Sequence, residues 1–156
     1  NVVLCHGSVL EYGGEAYLFT APSGTGKSTH TRLWREYFGE KVTMINDDKP
    51  LLRFEEDGVY AYGTPWDGKH HISCNKKAKL KGICFLKRAT ENKIYRIDQN
   101  NALPRLMNQI YRPRQTEGLL KTMDYVNKLL EQVPMYILEC NMDKEAAKVA
   151  YEGMNK

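Results

Sequence analysis

Residues 21–28 read Ala-Pro-Ser-Gly-Thr-Gly-Lys-Ser. They fit G-x-x-x-x-G-K-[ST] at every fixed position but the first, where Ala21 replaces glycine. With Gly or Ala allowed there, such a match arises by chance in roughly one chain in a hundred of this length. The neighbourhood sharpens it. Glu15 to Thr20 is a β-favouring run. Beyond the loop, the i,i+4 pairs Leu33/Tyr37 and Trp34/Phe38 predict a helix that stops near Gly39. In a strand–loop–helix of this kind, Ser23, Gly24, Thr25 and Gly26 wrap backbone N–H groups around phosphate oxygens, and the helix N-terminus adds positive potential. Lys27 would then reach the β- and γ-phosphates, the Ser28 hydroxyl would ligate Mg²⁺, and Thr29 would close the loop. ATP and Mg²⁺ are the ligands this pattern expects.

A phosphate loop by itself does not transfer phosphate, so the second acidic centre matters. Val42 to Ile45 is a short apolar strand that leads into Asn46-Asp47-Asp48, with Asp47 placed 20 residues after Lys27. A magnesium-binding acidic pair belongs there in a phosphate-loop protein. Two adjacent carboxylates resist joint ionisation unless a cation or spacing relieves them. The competing explanation is an Asx turn from Asn46 into Lys49-Pro50. The presence of the loop tips the choice toward the metal.

The rest of the chain predicts an α/β fold built on a mixed sheet with hairpins and C-terminal helices. Val2–Leu4 and Ser8–Tyr12 read as strands, and Gly13-Gly14 turns the chain into Glu15–Thr20. A second hairpin is expected from Pro50–Glu55 and Val59–Tyr62, followed by a loop from Gly63 to Lys69. Leu80–Lys87 and Lys93–Ile97 are expected to form a third antiparallel pair. Asp98 would cap a helix through about Tyr111, Pro113 would open another to Gln132, Met135–Cys140 would be a strand, and Asp143–Tyr151 a closing helix. All 156 residues are expected to form one domain. The chain opens on Asn1 instead of Met, which fits a domain excised from a longer protein.

Composition narrows the classes further. Hydrophobic residues at 42% and charged residues at 27% exclude collagenous, coiled-coil and mostly disordered chains. No run approaches a membrane span and no signal peptide opens the sequence, so a cytoplasmic location is expected. Cys5, Cys74, Cys84 and Cys140 are far apart and read as free thiols in a reducing compartment. The net charge of +4 is uneven. Between Trp66 and Ile97, nine Lys/Arg face only Asp67 and Glu91, a local +7 that invites phosphate or an acidic peptide. The lysines at 76, 77, 79 and 81 lack interleaved aromatics, so nucleic acid is the weaker partner and a solvated face the plainer reading. His70-His71-x-x-Cys74 is a poor zinc set, because adjacent histidines do not easily share one tetrahedral site. Trp66 is a candidate for stacking on a base, Lys69 for touching phosphate, and Leu119 to Leu130 for a core-facing helix.

Taken together, Cys5-His6-Gly7-Ser8-Val9-Leu10, Tyr12-Gly13, the loop and Ile-Asn-Asp-Asp resemble the HPr kinase/phosphorylase family over residues 5–55. Phosphoenolpyruvate carboxykinase shares that core. The resemblance implies a carboxykinase-like phosphate-loop core in place of a Rossmann-like one. It gives Lys27 and Ser28 the phosphate and Mg²⁺ roles and places Asp47 nearer the metal. Asp48 takes the role of the general base that accepts the proton of the acceptor hydroxyl. His6 matches the family histidine beside the reaction centre; without the resemblance it is a lone strand-end histidine. The family's Glu-x-Arg-Gly segment and C-terminal signature are missing. In their place, Gly63-Thr64-Pro65-Trp66-Asp67-Gly68-Lys69 resembles HPr-kinase relatives found beside peptide-modification genes. The implied activity is ATP- and Mg²⁺-dependent transfer to a hydroxyl on a protein, peptide or small molecule, with serine on a peptide one such acceptor. The implied assembly is a homo-oligomer. The alternative is an ATP-binding regulatory or sensor module that transfers nothing.

Overall fold

The computed structural model describes residues 1–22, 26–64 and 76–156. Its strands are β1 (Val2–Leu4), β2 (Ser8–Tyr12), β3 (Glu15–Thr20), β4 (Thr43–Asn46), β5 (Leu51–Glu55), β6 (Gly58–Tyr62), β7 (Lys77–Arg88), β8 (Lys93–Ile97) and β9 (Met135–Cys140). The helices are α1 (Lys27–Phe38), α2 (Gln99–Met107), α3 (Thr116–Gln132) and α4 (Glu145–Met154).

The strands join in one mixed sheet, running β1-β5-β6-β7-β3-β2-β4 with β9 and β8 added beyond β7. Both expected N-terminal hairpins form: β2 pairs antiparallel with β3, and β5 with β6. Gly13 and Gly14 both take positive φ, 63° and 84°, the conformation a two-residue hairpin turn requires. The twelve-residue β7 organises the rest. One edge runs parallel to β3. The other edge pairs with β6 over Lys77–Lys79 and then with β9, in parallel, from Ile83 onward.

The expected antiparallel pair of the 80–87 and 93–97 segments does not form. β9 lies between them, parallel to β7 and antiparallel to β8. Burial explains the order. Met135 to Leu138 are buried on both faces, as an interior strand must be, whereas Lys93, Tyr95 and Arg96 of β8 are exposed and suit an edge.

The period-2 alternation of the central strands feeds two cores. Val9, Leu18, Ile83, Phe85 and Ile137 face α2 and α3, packing with Ala102, Leu106, Val126 and Leu129. Leu10, Tyr17, Phe19, Cys84 and Leu138 face the opposite way, against Trp34 of α1 and Ala147, Ala150 and Met154 of α4. Fully buried Trp34 is the hub of the second core, with ring contacts to Tyr12, Tyr17, Phe19, Phe38 and Tyr151.

Three helices differ from expectation in their bounds, the closing one running Glu145–Met154 instead of Asp143–Tyr151. Asp98 caps α2 as predicted, accepting from the Asn101 N–H at 2.9 Å, but α2 ends at Met107. α3 begins at Thr116 instead of Pro113. The chain between them is drawn into an extended contact with the end of β1. The His6 N–H donates to the Gln109 carbonyl at 2.6 Å, and the Tyr111 N–H donates to the Leu4 carbonyl at 2.9 Å. Those backbone groups are therefore unavailable to a helix.

Cys5, Cys84 and Cys140 are free, while Cys74 lies outside the described residues. No helix among the described residues is long and apolar enough to cross a membrane.

Candidate active site

The candidate site lies where β3, β4 and the segment after β1 converge on the start of α1. Gly26 precedes the helix at φ 99°, a left-handed conformation that favours glycine over any residue with a Cβ. Lys27 and Ser28 then occupy the first turn. Ser23, Gly24 and Thr25 lie outside the described residues.

Ser28 Oγ donates to the Asp47 carboxylate, at 3.0 Å from each oxygen. Ser8 Oγ donates to Asp47 Oδ1 at 2.7 Å, and the Thr31 hydroxyl lies 3.0 Å from Ser8 Oγ. Two hydroxyls thus donate to a carboxylate that is only 7% exposed, with Thr31 one step behind Ser8. Lys27 Nζ donates to the Ala21 carbonyl at 3.1 Å. Burial lowers the Lys27 pKa below the usual lysine range, and the attraction of Asp48 and Asp47 partly offsets it. Both carboxylates therefore act electrostatically on this ammonium. Cys5 also feels Lys27, but burial dominates and pushes its thiol up to about 12, so it stays protonated and inert.

Asn46 sets the direction of the acidic pair. Its buried side chain accepts from the backbone N–H groups of Asp48 and Lys49, each at 2.8 Å. Its amide donates to the Thr64 carbonyl and hydroxyl at 3.0 and 3.1 Å. The Asx turn weighed against a metal role is therefore present, and Asp47 meets Ser28 as well. The two readings are compatible, since the turn is what presents Asp47 to Ser28. Gly7 N–H donates to the Asp48 carbonyl at 2.9 Å, which ties the end of β1 to the same turn.

Two cavities flank this centre. One, of about 360 Å³, is lined by Gly26, Thr29, His30, Leu33, Arg88, Ala89, Cys140, Asn141 and Met142. It sits outside the carboxyl ends of β7 and β9, which run parallel to β3, and crevices at such strand ends are where α/β sheets bind ligands. The other, of about 340 Å³, is lined by residues that include Cys5, His6, Lys49, Gln109 and Tyr111. The His6 side chain is exposed there, and its carbonyl accepts from Thr20 Oγ1 at 2.5 Å.

The chain superposes on the structure of the HPr(Ser) kinase/phosphatase from Coxiella burnetii with a TM-score of 0.57, over 97% of this chain and 88% of that one. The two are 9% identical. They share a fold. No protein-family model matches the chain, and no curated protein matches its sequence. The fold relationship therefore rests on three-dimensional form.

The donor set fits a small hard cation. A hydroxyl and a carboxylate already in contact offer oxygen ligands alone, and Mg²⁺ beside nucleotide phosphates draws on one or two such groups. The weaker zinc candidates, His70, His71 and Cys74, lie outside the described residues, as do Trp66 and Lys69.

The sequence alone did not single out Ser8, Thr31 or His30. Ser8 and Thr31 are ordinary hydroxyls until the fold sets Ser8 on Asp47 and Thr31 on Ser8. His30 Nε2 accepts from Trp34 Nε1–H at 3.0 Å, and burial drives the His30 pKa down to about 3. Its i,i+4 spacing from Trp34 was the available signal.

The lysine run behaves as a structural face. Lys76 pairs with Glu11, Lys77 with Glu55 at 3.1 Å, and Lys81 with Glu15 at 3.9 Å. Glu15 lies on β3 beside β7, whereas Glu11 on β2 and Glu55 on β5 lie one strand further away, so pairing across the sheet absorbs much of the positive charge.

Proposed function

We propose that the protein is an ATP- and Mg²⁺-dependent kinase with a carboxykinase-like phosphate-loop core, transferring the γ-phosphate to a hydroxyl acceptor such as a peptide serine. The observation that carries this reading is the contact of Ser28 with Asp47 at the start of α1, with Lys27 under the field of both carboxylates. The nucleoside enters the cavity beside Gly26 and Thr29, with Arg88 and Met142 at its wall. The phosphates extend along the loop toward Lys27. Mg²⁺ held by Ser28 and Asp47 would neutralise charge on the β- and γ-phosphates.

On the far side, Asp48 takes the proton from the acceptor hydroxyl as its oxygen bonds to the γ-phosphorus and the bond to the β–γ bridging oxygen breaks, releasing ADP. His6, exposed beside Lys49, orients the acceptor. Lys27 offsets the charge that gathers on the transferring group.

Transfer of label from γ-³²P-ATP to serine peptides tests the reading. Asp48→Asn should lower transfer by about 10²–10⁴-fold while leaving ATP affinity near wild type. Lys27→Ala should impair both. Full transfer by Asp48→Asn would refute the base assignment. ATP binding without transfer to any hydroxyl would favour a sensor module instead.

A further inference from the structure

We propose that Lys49, Tyr111, Arg112 and Arg114 form a docking surface for an extended acidic peptide, which brings its hydroxyl to Asp48. The proposal rests on the kinase reading and adds the chemistry of the acceptor.

The backbone places this surface. Residues 5–7 are held between two walls. On one side the Cys5 N–H donates to the Pro50 carbonyl at 3.1 Å and the Gly7 N–H to the Asp48 carbonyl at 2.9 Å. On the other side the His6 N–H and the Leu4 carbonyl bind Gln109 and Tyr111. The 109–111 segment therefore lies two strand spacings, about 10 Å, from the chain that carries Asp48. The 340 Å³ cavity lined by residues of all three segments is near the lower end of ligand-pocket sizes and suits one side chain.

The rim indicates what enters it. Tyr111 lines the cavity and yet is 68% exposed, an aromatic surface free to pack on a partner. The chain then runs without helix or strand through exposed Arg112 and Arg114 toward α3. Among the described residues, Lys49, Arg112 and Arg114 have no side-chain hydrogen bond or ion pair, whereas Lys76, Lys77 and Lys81 are paired with glutamates. Unpaired positive charge therefore lies beside the acceptor-side cavity, with Lys49 on its lining and Arg112 directly following Tyr111. Guanidinium groups recognise carboxylates through paired hydrogen bonds, and acidic residues flanking a serine supply them.

The test is binding, read by fluorescence anisotropy with the full chain at low salt. The probes are three labelled serine-peptide pools with acidic, neutral or basic flanks, and a single-stranded twelve-nucleotide DNA. The acidic pool should bind at least about tenfold more tightly than the neutral pool, and the basic pool should not bind. Arg112→Glu/Arg114→Glu should remove that preference, and Tyr111→Ala should weaken acidic-pool binding about fivefold. ATP affinity should remain unchanged in both variants, whose altered side chains are exposed. Equal binding of the three pools, no binding of any, an unchanged preference after charge reversal, or DNA binding as tight as the acidic pool would each overturn the proposal. Peptide binding that survives while phosphate transfer is absent would refute the kinase reading and leave the docking surface standing.

Discussion

Ser28 and Asp47 meet across the gap between α1 and β4, with the serine hydroxyl 3.0 Å from both carboxylate oxygens. The contact joins residues 19 positions apart, and it is stabilised from behind by Ser8 at 2.7 Å. A carboxylate so placed accepts from two hydroxyls that a cation can share or displace.

Ser28→Ala should therefore weaken ATP binding about tenfold in the presence of Mg²⁺, or about 1.4 kcal/mol, and have little effect in EDTA. Isothermal titration with and without the metal measures the difference. An equal loss under both conditions would assign Ser28 to phosphate contact alone.

The cavity outside β7 and β9 should discriminate between the nucleoside and the phosphates. Ala89→Trp fills part of it, because Ala89 lies on its wall. ATP affinity should fall about tenfold while binding of inorganic tripolyphosphate stays as in the wild type. Unchanged ATP affinity would place the nucleoside elsewhere.

His30 links stability to pH. Its folded-state pKa of about 3 lies below the ordinary value of 6.5, so between these limits the unfolded chain binds a proton that the native state refuses. Its contribution is fully present above 6.5 and is lost as the pH falls toward 3. Unfolding free energy should thus drop by up to about 1.4 kcal/mol per pH unit below pH 6.5. His30→Gln, which retains an acceptor for Trp34 Nε1–H, should flatten the slope between pH 6.5 and 5. Urea titrations at a series of pH values would show it, and an identical slope in the variant would disprove the link.

Trp34→Ala should cost about 3–5 kcal/mol, since the indole is fully buried among five aromatic rings. Thermal or chemical unfolding measures this directly. A loss below about 1 kcal/mol would mean that the aromatic cluster closes over the gap.

Most of the local architecture was legible from residues 1–62. The Gly13-Gly14 turn, the alternation of β2 and β3, the helix that follows the loop and the Asn46 turn all follow from signals a few residues wide. So did the nomination of Lys27, Ser28, Asp47 and Asp48, because a spacing pattern carries their chemistry. Turn conformation, helical period and pleat are properties of neighbouring residues, and the chain states them locally.

Partner choice over long separations is another matter. Nothing near Lys93–Ile97 says that β9 will slip between it and β7; that follows from which strand has two apolar faces to bury once the helices have covered the sheet. Nor does residue 110 announce that its neighbours will leave a helix to bind β1. The lysines at 76, 77 and 81 look like an anion-binding run in one dimension and become partners of Glu11, Glu55 and Glu15 in three. The sequence by itself determined the local elements and nominated the residues proposed to handle phosphate. Only the tertiary structure decided which charges were left over and where they face, because burial and pairing are settled by strands that meet after long stretches of chain.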